Sequence, residues 1–393
     1  MNRMMMTIRL PQADGSLAPY AMGPAALPYR PTGRARNRVA YSAAHVVADP
    51  LADCNPWLDV AIDWDRTIAY RRHLWSLGLG VAEAMDTAQR GMGLDWKASL
   101  ELIRRTLDAA RDFGGRPLVA SGAGTDHLPP APDLPLDRIV AAYEEQVGAI
   151  EALGGRVILM ASRALAAAAR GPEDYAHVYG RVLSQVREPV ILHWLGEMFD
   201  PALDGYWGSR DHWQAMETCL GIIAEHAAKV DGIKVSLLSD EKEIAMRCRL
   251  PKGVRMYTGD DFNYPALIAG DDRGHSDALL GIFDAIAPAA ASALDALAAG
   301  DRAAYDGILG PTVALSRHIF RAPTRFYKTG VVFLAYLNGH QDHFTMIGGQ
   351  QSARSLIHLA ELFRLADQAR LFTDPGMAMA RMRQVLAVHG IEG

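Results

Sequence analysis

The feature that most limits what this 393-residue chain can fold into is a rhythm that sets in near residue 37. Short apolar runs that close on Gly, Ser, Asp or His alternate with longer segments of helical spacing. Runs at residues 37–45, 79–84, 117–121, 156–160, 189–193, 232–235, 254–258 and 276–282 lack the apolar–polar alternation of a half-exposed strand. They suit parallel strands covered on both faces, and their alternation with helices marks repeated βα units. Eight units within about 250 residues fit a closed (β/α)8 TIM barrel better than an open doubly wound sheet. No Gly-x-Gly-x-x-Gly follows the first run, which argues against a dinucleotide site. Asp63 and Asp95 stand where helix N-caps are expected, and Asp137 is expected to open the next helix.

The expected organisation has three parts. Residues 1–35, rich in Pro, Gly and Met, read as an N-terminal arm or short hairpin; 36–290 form the α/β barrel; 291–393 form a C-terminal helical extension. Helical spacing in that extension covers 287–299, 303–320, 328–338 and 353–367.

Half of the residues are hydrophobic and the formal net charge is −5, the balance of a globular enzyme-sized protein. A mild acidic excess gives no reason to expect nucleic acid or an anionic membrane as partner. Three scattered cysteines (Cys54, Cys219, Cys248) form neither a CxxC zinc pair nor a disulfide framework. The opening residues lack the apolar run and cleavage site of a secretory signal, and no apolar stretch of about 18 residues suggests a membrane span. The expectation is a cytoplasmic protein.

Barrel strands deliver their last residues to the catalytic face, so polar groups at strand ends are the candidates for chemistry. Lys234, within Val-Asp-Gly-Ile-Lys-Val, is the sharpest of them. Burial disfavours an ammonium and moves the group towards the free amine, which can attack a carbonyl and form an imine. The alternative is a lysine neutralised by a carboxylate such as Asp231 or Glu83.

Gly232-Ile233-Lys234, followed by Tyr257-Thr258-Gly259-Asp260-Asp261, resembles the Schiff-base strand and the next strand of the dihydrodipicolinate synthase / N-acetylneuraminate lyase family. Ala48-Asp49-Pro50 is similar to the loop after that family's first strand, and Pro189-Val-Ile-Leu-His193 to its fifth. The likeness spans roughly residues 37 to 290. It implies a lyase or aldolase of the class I type, acting through a lysine imine on a 2-oxo acid or related small-molecule carbonyl substrate, without a further cofactor. It also implies a homo-oligomer, a dimer or tetramer.

The departures from the family carry information. Asp86-Thr87-Ala88-Gln89-Arg90 occupies the place of the family's Gly-Thr-Thr-Gly-Glu, so only Thr87 matches. Arg90 could grip a substrate carboxylate with two hydrogen bonds, or be structural. His193 stands where the family has a proton-relaying tyrosine; it could shuttle protons, sit satisfied in the core, or bind a metal. Ser121, Asp260, Asp261 and Ser276, in or beside the third, seventh and eighth strands, complete the candidate substrate-binding set. The aspartates would repel a phosphate and suit a hydroxyl-rich or cationic group, although some of them could only cap turns.

Two rival readings stay open at this point. His45, Asp49, Glu83, Asp86, Asp126, His127, His193 and Glu197 lie at or beyond strand ends, and three of them could hold a divalent metal for lyase or isomerase chemistry. The substituted partners would also suit an inactive barrel that binds a sugar-acid-like ligand. In the tail, His340 and His343 read as a polar helix-to-helix turn. Arg325, Tyr327 and Lys328 could line either an oligomer contact or the rim of the active site.

Overall fold

The computed structural model describes residues 6–32 and 34–392. Residues 1–5 and 33 of the expected arm, and residue 393, lie outside the described part. The remainder of the arm forms an antiparallel hairpin, β1 (Thr7–Pro11) and β2 (Leu17–Ala21). It docks on the C-terminal helices: Arg364 donates to the Pro11 carbonyl at 2.7 Å, and Tyr20 and the Gly23 amide both donate to Asp367 at 2.8 Å.

The eight apolar runs become β3 (Ala40–Ala43), β4 (Gly80–Glu83), β5 (Val119–Ala123), β6 (Arg156–Leu159), β7 (Val190–Leu195), β8 (Val230–Ser236), β9 (Arg255–Thr258) and β10 (Asp277–Leu280). They are all parallel and close in chain order, with β10 pairing β3. This is a TIM barrel, as the βα rhythm predicts. Asp63 and Asp95 cap the helices Trp64–Ser76 and Trp96–Phe113, accepting from the amides of Arg66 and Ala98. The next helix begins at Leu136, so Asp137 lies in its first turn, where a negative charge meets the positive end of the helix dipole.

Alternation along each strand divides the residues between two cores. Tyr41, Ala43, Ala82, Ala120, Ile158, Ile191, Tyr257 and Leu279 fill the barrel interior, while their neighbours pack against the helices. Gly232 serves this layer directly. A Cβ there would stand 2.6 Å from the Tyr257 ring, so glycine lets that ring cross the barrel floor. Tyr257 donates to Asp231 at 2.7 Å, and Arg156 reaches the same carboxylate at 3.3 Å. Asp231 is therefore occupied at the floor, away from the mouth.

Beyond the barrel the chain continues through Ala287–Ala298, a helix that contains residue 290, so the extension grows out of the barrel without a break. The expected helix over 303–320 is two, Arg302–Leu309 and Thr312–Ile319, because Gly310-Pro311 interrupts the spacing. Tyr327–Leu337 is buried along its whole length, Lys328 and Thr329 included. It touches the turn Asp86–Ala88 after β4, the short helix Ile282–Ala285 after β10, and the helices Leu356–Gln368 and Pro375–Val388. Its N-terminal end thus meets the barrel mouth. Among the described residues no helix is long and apolar enough to cross a membrane.

Candidate active site

Lys234 sits near the C-terminal end of β8 with 6% of its surface exposed. Ile233 belongs to the outer core, so its neighbour Lys234 faces the barrel interior. Gly259, at the end of β9, makes the room: a Cβ there would stand 2.8 Å from Lys234 Cε and 2.3 Å from Ser236 Oγ. Neither carboxylate considered as a neutralising partner is near. Asp231 is held at the floor, and Glu83 is chelated by Arg71 at 2.9 Å through two oxygens, with Thr106 donating at 2.6 Å. Among the described residues no carboxylate lies within 4.0 Å of the Lys234 ammonium. Burial lowers its pKa, and the more distant charges of Asp86 and Asp261 only partly oppose that shift.

His193 on β7 is the direct register neighbour of Lys234. Its Nε2 lies 3.3 Å from Ser236 Oγ, and burial together with the Lys234 charge drives its pKa well below the usual value. It is a neutral imidazole beside the amine. Asp261 accepts from the Ile282 amide at 2.9 Å, and burial raises its pKa against the pull of Lys234.

Thr87, the one match to the family's threonine pair, meets a side chain from the C-terminal extension: its Oγ1 is 2.8 Å from the Tyr327 hydroxyl. Tyr327 stacks on Phe320 with centroids 4.4 Å apart. Burial, with Asp86 and Asp261 nearby, lifts its pKa well above the usual value, so the phenol keeps its proton. The same two carboxylates act on Lys234, so amine and phenol share one electrostatic environment. Next in sequence, Lys328 is 2% exposed and its Nζ is 3.1 Å from the Met92 sulfur. A cleft bordered by Asp86 and His193 opens nearby, lined also by Arg90, Thr125, Arg163 and Asp200 among others.

The other sequence candidates lie elsewhere or are occupied. Arg90 lines the cleft, but Asp126 (2.7 Å), Gln146 and the Gly122 carbonyl take its donors. Asp260 closes the turn that follows it, accepting from the amides of Phe262 and Asn263 at 2.8 and 3.0 Å. Ser121 is in the middle of β5 because that strand runs on to Ala123; Ala120 faces the interior, so Ser121 faces the helices. Ser276 precedes β10 at the end remote from the mouth and donates to Glu243 at 2.7 Å. Of the groups considered for a metal, His45 is bound to Asp284, Glu83 to Arg71, His127 to Gln146 and Glu197 to His212. Among the described residues no three His, Cys, Asp or Glu side chains converge as a ligand set. The sequence reading left Tyr327 and Lys328 between two roles, and their position at the mouth comes from the path of a helix far along the chain.

The closed parallel (β/α)8 barrel with its flanking helices matches solved structures of dihydrodipicolinate synthase-family proteins. A prophage protein of that family from E. coli K12, solved with pyruvate, superposes with a TM-score of 0.66 at 14% identity, covering 86% of this chain and 100% of that one. The dihydrodipicolinate synthase of Acinetobacter baumannii, also solved with pyruvate, gives 0.62 at 15% identity over 85% and 99% of the two chains. The 4-hydroxy-tetrahydrodipicolinate synthase of Methylacidiphilum fumariolicum gives 0.63 at 12% over 88% and 99%. At such identities the likeness establishes the fold. By sequence the chain belongs to the family described as protein of unknown function (DUF993), whose profile matches residues 8–391. No curated protein matches it.

Proposed function

We propose that the protein is a Schiff-base-forming lyase of the class I aldolase type, acting on a small carbonyl substrate such as a 2-oxo acid. The observation that carries this reading is the Lys234 amine: buried at the mouth of a barrel, without a carboxylate within 4.0 Å, and shifted towards its neutral form. A desolvated amine of this kind is a nucleophile at neutral pH. Its lone pair forms a C–N bond to the carbonyl carbon, the carbonyl oxygen takes up protons and leaves as water, and the resulting iminium accepts the electron pair released when an adjacent C–C or C–H bond breaks. The imine is then the electron sink, and the reaction calls for no bound cofactor.

Proton transfer falls to two neighbours in this reading. His193 is neutral and can accept a proton. Tyr327 holds its proton and is tied to Thr87, so it can donate one and recover it through the threonine hydroxyl. The pyruvate bound by two of the structural relatives makes it the first substrate to try. Incubation with pyruvate and a panel of larger 2-oxo acids under borohydride should leave a reduced adduct that peptide mass spectrometry locates on Lys234. Absence of an adduct with every carbonyl tried would sink the reading, and retained ligand binding in that case would favour a binding protein.

A further inference from the structure

Lys328 is not needed for imine chemistry at Lys234, yet it is the more deeply buried of the two. We infer that Lys328, carried in by the C-terminal helical extension, binds the carboxylate of an anionic carbonyl substrate in the cleft beside Lys234. The inference rests on the imine reading and narrows its substrate class to oxo acids.

Three observations support it. First, the amine lacks a strong partner: its hydrogen bond goes to the Met92 thioether, a weak acceptor, and among the described residues no carboxylate lies within 4.0 Å. A buried ammonium without a paired anion is costly to keep, and a ligand anion removes that cost. Secondly, three of the four charges that act on it, Asp86, Arg163 and Asp200, line the cleft, as does Gly91 next to its Met92 partner; Arg325 is the fourth. Thirdly, the cleft's arginines are committed, Arg163 to Asp200 and Arg90 to Asp126. Asp86 acts on both lysines, and Asp200, the other carboxylate that acts on Lys328, is already paired with Arg163. Once Lys234 becomes a positive iminium, Asp86 and Asp261 can compensate it, and Lys328 is left to a carboxylate supplied by the substrate.

The test uses the full chain, with Lys328→Met, which keeps length and apolar bulk, and Lys328→Arg, which keeps charge. Binding of oxamate, an anion that cannot form an imine, is measured by calorimetry. In parallel, the pyruvate concentration for half-maximal borohydride trapping is compared with that for neutral hydroxyacetone. Lys328→Met should weaken oxamate and pyruvate about tenfold or more, the loss of one charge-assisted hydrogen bond, while hydroxyacetone changes far less and Lys328→Arg recovers part of the difference. Unchanged affinity for both anions in Lys328→Met, an equal loss for acid and neutral ketone, or no binding of either anion by the wild-type chain would each overturn the inference. Oxamate bound through Lys328 without an adduct from any carbonyl would remove the imine reading and leave the anion site standing.

Discussion

Two regions a short distance apart hold buried cations in opposite ways. Behind β4, Arg71 is fully buried and fully matched: its guanidinium makes two hydrogen bonds with Glu83 and also donates to the His45 carbonyl, and Glu83 gathers Thr106 and the Ala84 amide besides. At the mouth, Lys234 and Lys328 are nearly as buried but have no carboxylate in contact. The first arrangement has every donor answered and no room for a ligand. The second keeps two amines partly unsatisfied beside an open cleft. Buried charge holds a structure together when its partners are built in, and becomes reactive when they are withheld.

The contrast can be broken at either end. The largest effect is expected from Lys234→Met: all borohydride-trappable adduct should vanish, while stability stays within about 1 kcal/mol or rises, since a desolvated charge is removed. A large loss of stability in denaturant melts would instead give Lys234 a structural role. Glu83→Ala should do the reverse, costing about 3–5 kcal/mol by leaving the Arg71 guanidinium buried alone, which equilibrium unfolding measures directly. Tyr327→Phe should come next. Adduct should still form, but exchange of substrate C–H protons with deuterated solvent, followed by NMR, should slow by about 10²-fold, the low end for a lost acid–base group. Stability should fall by only about 1 kcal/mol for the bond to Thr87.

The smallest effect concerns Glu243, a third kind of buried charge. It lies outside the barrel wall with one oxygen accepting from Ser276 and the other without a partner, and burial pushes its pKa up to about 8. The folded state therefore holds a proton that the unfolded chain releases near pH 4.5. Its contribution to stability is greatest below pH 4.5 and is lost as pH rises to about 8. Glu243→Gln should match the parent at pH 5 and melt a few degrees higher at pH 8. Parallel pH profiles for the two proteins would show that Glu243 titrates normally.

Much of this was legible before any coordinates. The spacing of Asp63 and Asp95 before their helices, and the uninterrupted apolar runs, place all eight strands within three residues at each end; β3 departs most from its run because residues 37–39 and 44–45 lie outside the sheet. Ser121 was misjudged through that same uncertainty: two residues added to β5 moved it from a strand end to a strand middle, facing the helices. Asp260 could not be separated from a ligand by sequence, because turn-capping aspartates and substrate-binding aspartates follow the same kinds of strand end. The single interrupted helix over 303–320 was hidden by apolar spacing that continues through Gly310-Pro311.

Sequence alone determined the barrel, since the period of burial along a chain is a local property and eight short runs have few ways to be covered on both faces. It also determined that one of those strands carries a lysine. What only the tertiary structure decided is the company this lysine keeps. Thr87 and Tyr327 are 240 residues apart and meet at 2.8 Å because a buried helix of the extension ends over the mouth. Lys328 arrives by the same route. The burial that shifts these groups, and the carboxylates that fail to reach them, are properties of how distant elements pack, and local spacing does not encode them.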